Sequence, residues 1–173
     1  MIALQDGVKA AFFGFQDRYR GIPGDYLSAS AGANIPGAGA LCGGDGDSLI
    51  ERATITGSDE NICAWYHLSR AGFITGTYSG IGNVAVTANS PANPFGGLME
   101  LIFDGTYYSA SLTTANPAIH NVKTGINIPS LVLAEVDRKI DDGSPITGGF
   151  RFSTYGTAAA TCVGGSGATQ SWD

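Results

Sequence analysis

The sequence predicts an α+β domain: an N-terminal amphipathic helix packed on an antiparallel sheet, joined by a long Gly-rich loop that contains a second helix. Three observations predict it. Apolar residues recur at helical spacing over residues 2–20, a stretch rich in Gly, Ala, Ser and Asn follows, and strand-like runs around a turn signal begin at Leu98. At 173 residues the chain has the length of about one domain. We divide that single domain into a helix at 2–20, an αβ-loop at 25–97, and a sheet and C-terminal region at 98–173.

The first helix rests on Leu4, Val8, Phe12, Phe15 and Tyr19, which fall on one narrow stripe at ~100° per residue. Gln5, Lys9, Gln16 and Arg20 lie on the opposite, mostly polar side. Phe13 and Ile2 point that way too, where a lone monomer has no use for them. Gly21-Ile22-Pro23-Gly24 should end the helix, because Gly permits a left-handed cap and Pro blocks continuation. A second helix is expected from Ser58 as N-cap, with Asp59 and Glu60 in its first turn, where the helix dipole favours anions. Its buried face is Ile62, Trp65 and Leu68, and Gly72 ends it. Leu98 to Phe103 and Tyr107 to Leu112 read as a hairpin around Asp104-Gly105. From Ser130 to Ile140, Val132, Leu133, Val136 and Ile140 share a ~100° arc while alternation fails at Glu135, so that segment reads as a helix. Asp141-Asp142-Gly143-Ser144-Pro145 stops it, Phe150-Arg151-Phe152 starts a strand, and a Gly- and Ala-rich tail runs from Gly156.

The formal charge of −6, from 9 basic and 15 acidic residues with no basic run, excludes the electrostatic footprint of a nucleic-acid partner. The 26 glycines are about twice average usage and only 14% of residues are charged. That composition suits a loop-rich, exported protein, and three cysteines suit an oxidising compartment. Cys42 and Cys63 are the preferred disulfide, tying the loop to the start of the second helix; Cys162 either stays free or displaces one partner. No stretch approaches the roughly 18–20 apolar residues that span a bilayer. The sequence opens inside what reads as a helix, without the features of a signal peptide, and we expect a targeting segment upstream of it. The domain alone is expected to be soluble and monomeric.

Catalytic signatures are lacking. His67 and His120 sit in no zinc-protease motif, and His67, on a helix between Tyr66 and Leu68, reads as a hydrogen-bonded structural histidine. No nucleophile elbow or phosphate-binding Gly loop occurs. Asp45, Asp47 and Glu51 form an alternating acidic run whose oxygens could converge on calcium. A regular EF-hand is excluded, because its alignment needs an oxygen ligand where Gly43 stands. Asp141-Asp142 reads as a helix stop and turn.

Four segments resemble one family. Phe15-Gln16-Asp17-Arg18-Tyr19-Arg20-Gly21-Ile22-Pro23-Gly24-Asp25-Tyr26 is similar to the close of the long N-terminal helix in bacterial type IV pilin-like proteins that carry a prepilin-type cleavage and methylation segment. The Gly- and Asp-rich stretch Gly43 to Glu51, the segment Ala64 to Ile74, and the helix-and-turn run Val136 to Gly148 resemble the same group, in the same order. The resemblance implies a pilin-like fold and a non-catalytic role as a structural subunit of a type IV pilus or a type II secretion-type pseudopilus. It implies an inner-membrane anchored precursor in a Gram-negative bacterium, cleaved by a prepilin peptidase and methylated, with the inner-membrane pilus assembly machinery as a partner. Self-assembly with other pilin subunits then gives a periplasmic or extracellular filament. Phe13 is the expected assembly surface, to be covered by a neighbouring subunit; the other reading has the long loop fold over it. The alternative function is a secreted calcium- or carbohydrate-binding module, with an enzyme third.

Overall fold

The computed structural model describes residues 1–39, 42–53, 55, 57–109, 116–153, 162–165 and 170–173. In chain order these form α1 (Ile2–Tyr19), α2 (Ser28–Asn34), α3 (Glu60–Arg70), β1 (Glu100–Asp104), β2 (Ile119–Lys123), α4 (Ser130–Ile140), β3 (Val163–Gly164) and β4 (Ser171–Trp172). At this level the domain is α+β. Its sheets are small: β1 pairs antiparallel with β2, and β3 with β4.

Helix α1 packs the predicted stripe on the core and also buries Gln5, which the wheel places on the polar side. Val8 and Phe15 are buried with Ala11, and Leu4, Phe12 and Tyr19 pack against the same core. The helix ends where expected, but the left-handed cap residue is Arg20 (φ 56°), whose N–H donates to the Gln16 carbonyl. Gly21 serves a different need, since a side chain there would collide with the Tyr26 ring.

Helix α3 starts at Glu60, with Asp59 rather than Ser58 as N-cap. Its periodicity predicts one buried face, yet every residue from Glu60 to Leu68 is buried. The cause is tertiary: α1 and β1 both pack on α3, and the Gly-rich loop closes over the rest. That loop contains a helix the residue pattern does not announce, α2, which buries only Ala31. The Cys42–Cys63 disulfide is formed, with an S–S distance of 2.07 Å, and fastens the loop to α3. Cys162 is free.

The expected hairpin is corrected in its second arm. The partner of β1 is β2, in the register Glu100↔Lys123 to Asp104↔Ile119, whereas Tyr107–Ser109 are not strand and 110–112 lie outside the described residues. The Asp104 carboxylate accepts from the Thr106 hydroxyl and pairs with Lys123 Nζ at 2.8 Å. The chain then runs to the C-terminal region, where Tyr108 N–H donates to the Phe152 carbonyl and the two rings meet edge to face at 4.8 Å. Phe150-Arg151-Phe152 is likewise not a strand: Phe150 N–H is taken by Asp141 Oδ2 and Phe152 N–H by the Pro145 carbonyl. Helix α4 has the predicted span, but its buried side is Ala134, Val136 and Asp137, leaving Ile140 exposed. Asp137 Oδ2 accepts the Trp172 indole N–H at 2.6 Å and so joins α4 to β4.

Candidate functional site

The turn after α1 places Asp25 beside the first turn of α3. Gly24 makes this approach feasible: it sits at φ +96°, and a Cβ there would strike the Glu60 carbonyl. Two buried carboxylates, Asp25 and Glu60, then organise residues 44–51 through backbone N–H groups. Asp25 Oδ1 accepts from Gly46 at 2.7 Å and its Oδ2 from Ser48 at 2.8 Å. Glu60 Oε1 accepts from Asp45 at 3.3 Å and its Oε2 from Glu51 at 2.9 Å. Gly44 lies between them, where any side chain would collide with the Glu60 carboxylate. Burial raises the Glu60 pKa to about 7, with the charges of Asp25 and Asp45 adding to the effect. Burial also raises Asp25, against the pull of its two backbone hydrogen bonds.

Of the expected calcium ligands, only Asp45 joins this group. Oxygens of Asp25, Asp45 and Glu60 lie within 4.8 Å of one another, a spacing that a hard, oxygen-preferring cation could bridge. Asp47 accepts Leu49 N–H at 2.8 Å, and Glu51 contributes its backbone N–H while its side chain is exposed. Sequence reading missed Asp25 and Glu60 as loop-organising groups. Asp25 closes the Ile-Pro-Gly-Asp turn, and Glu60 reads as an ordinary first-turn acid of a helix. A second acidic group, Asp137, Asp141 and Asp142, does what its sequence suggests and stops α4: Asp137 takes Gly143 N–H and Asp142 takes Ser144 N–H.

His67 is structural. Its Nδ1 accepts Gly24 N–H at 3.0 Å, which leaves Nε2 to donate to the Cys42 carbonyl at 3.2 Å. The ring stacks on Phe15 at 6.0 Å, and burial lowers its pKa to about 4. Neutral imidazole thus ties three segments together: α3, the turn after α1, and the disulfide-bearing loop.

The outward side of α1 is the other candidate. Phe13 is 63% exposed and touches the edge of the Phe12 ring, with centroids 5.5 Å apart. The αβ-loop does not cover it. Beside it a groove of about 1000 Å³ runs between α1, β2 and the C-terminal region, with Phe12, Phe13, Ile119, His120, Phe152 and Trp172 on its walls. Compared with known protein families, characterised proteins and solved structures, the chain shows no match.

Proposed function

We propose that this chain is the non-catalytic globular domain of a filament subunit of the type IV pilus or pseudopilus kind. One observation carries the reading: α1 buries a single stripe on its own domain and presents Phe13, 63% exposed, on the other side. An aromatic in that position gains burial when a second subunit packs against α1, at ~25 cal/mol per Å² of apolar surface removed from water. Its partners are then other pilin subunits and the inner-membrane assembly machinery. No helix among the described residues is long and apolar enough to cross a membrane; the anchor in this reading is the one the resemblance implies for the precursor. Phe13→Ser in the producing cell tests the reading: filaments are lost while the melting temperature of the isolated domain is unchanged. Filaments that form normally with Phe13→Ser remove the basis for it.

The second reading, a calcium-dependent binding module, is favoured by the Asp25, Asp45 and Glu60 oxygens within 4.8 Å of one another. Under it, calcium at a hundredfold excess over Kd stabilises the fold by about 2.7 kcal/mol. An unchanged melting temperature in millimolar calcium, relative to chelator, means the loop is held by its hydrogen bonds alone.

A further inference from the structure

The two outer edges of the β1–β2 sheet differ. Phe103 N–H donates to the Ile50 carbonyl at 2.7 Å, and Met99 N–H, just before β1, donates to the Pro91 carbonyl at 2.8 Å. Both bonds leave on the side away from β2. In an antiparallel strand the N–H and C=O of one residue point the same way, and hydrogen-bonded and non-hydrogen-bonded pairs alternate. Phe103 stands opposite His120 and Leu101 opposite Val122, so these are the non-hydrogen-bonded pairs. The backbone groups of His120 and Val122 therefore point outward from β2. Among the described residues, none of these N–H and C=O groups has a hydrogen-bond partner. Among the described residues, two outward N–H groups along the β1 edge are bonded, whereas the outward groups of β2 are open.

This open edge lies along the groove beside α1, which all five residues of β2 help to line. Two of the usual guards against strand addition, proline and a bulge, are missing. Ile119–Lys123 contains no proline and pairs without a bulge. Its lysine is turned inward, 5% exposed, and bound to Asp104 Oδ1 at 2.8 Å. His120 and Val122, two residues apart and each offering a donor and an acceptor, are the complement of an extended polypeptide backbone. The walls set the side-chain preference. Phe12 and Phe13 on one side and Phe152 and Trp172 on the other meet apolar groups.

We propose that the outer edge of β2 receives an extended peptide segment of another polypeptide, apolar at alternate positions, as a third strand of the sheet. The groove shares its Phe13 wall with the filament reading, but the proposal rests on the backbone edge of β2 and is tested apart from filament formation.

Amide hydrogen exchange on this chain tests the proposal, with the acetylated and amidated peptide Lys-Val-Thr-Val-Thr-Val-Lys at millimolar concentration as the probe. The same peptide with its central amides N-methylated, unable to donate a ladder bond, is the control. The unmodified peptide should slow exchange at His120 and Val122 by about tenfold or more, with no such slowing from the control. Val122→Pro removes an outward N–H at a position where an edge strand tolerates proline, and should abolish the effect, the loss of Val122 packing being read separately as a melting temperature. Exchange at His120 and Val122 that is unaffected by the peptide overturns the proposal. Equal slowing by the N-methylated peptide also overturns it, because the groove would then bind apolar groups without adding a strand. Should Val122→Pro fail to fold, the two peptides decide the matter alone.

Discussion

Phe15 and Phe13 are the same residue type two positions apart on one helix, and they should respond to truncation in opposite ways. Phe15 is fully buried, with ring centroids of Tyr19 at 4.6 Å, Tyr26 at 5.9 Å, His67 at 6.0 Å and Phe73 at 6.2 Å. Truncating such a side chain to Ala costs about 3–5 kcal/mol, the sum of lost transfer energy and a residual cavity. Unfolding entropy near 60 °C is about 2.1 cal/mol/K per residue, or about 0.36 kcal/mol/K over the 173 residues. Phe15→Ala should therefore lower Tm by about 10 °C. Phe13→Ala, at a surface position, should change stability by no more than about 0.5 kcal/mol, close to 1 °C. Thermal melts followed by circular dichroism read both values. A loss at Phe13 comparable with that at Phe15 would show that Phe13 is core, and would refute the separation of faces on α1.

Three further outcomes are expected. Replacing both Cys42 and Cys63 by Ala opens a loop of 21 residues and should cost about 3 kcal/mol in the chain-entropy model, read as a lower urea midpoint. Burial holds the His67 pKa near 4 in the folded state against 6.5 for the free side chain, so the unfolded chain binds the proton first as pH falls. The neutral-histidine stability is complete above pH 6.5 and is lost between there and pH 4, by about 3 kcal/mol; a His67→Gln variant should lack that slope. Gly44→Ala puts a methyl group into the Glu60 carboxylate and should cost about 1–3 kcal/mol, with faster exchange at the Asp45 and Glu51 amides that donate to it.

Local signals made the helices legible and left the sheet mostly hidden. Helix α1 carries its stripe in the spacing of Leu4, Val8, Phe12, Phe15 and Tyr19, and α4 has the span its pattern predicts. In α3 the helix was readable but its burial on all sides was not, because α1, β1 and the loop close over it from distant parts of the chain. Helix α2, Ser-Ala-Ser-Ala-Gly-Ala-Asn, has no apolar stripe to read. Strand β2 mixes Ile119 and Val122 with His120, Asn121 and Lys123. Its place is set by long-range bonds such as Asn121 Nδ2 to the Asp104 carbonyl at 2.8 Å. The same holds for the acidic loop, where Asp45 is visible in its run but Asp25 and Glu60 meet it only through the turn at Gly24. The disulfide was accessible because three cysteines leave few choices, and Cys42 and Cys63 flank one loop closure.

The filament reading is tested most directly by placing a photo-crosslinking phenylalanine analogue at position 13 in the protein as the cell makes it. Irradiation of intact cells, followed by mass spectrometry of the products, identifies what touches that face of α1. A crosslink from position 13 to a second pilin-type subunit is expected, recovered in the sheared filament fraction. Crosslinks confined to the chain's own residues, or a protein found only as free monomer, would contradict it.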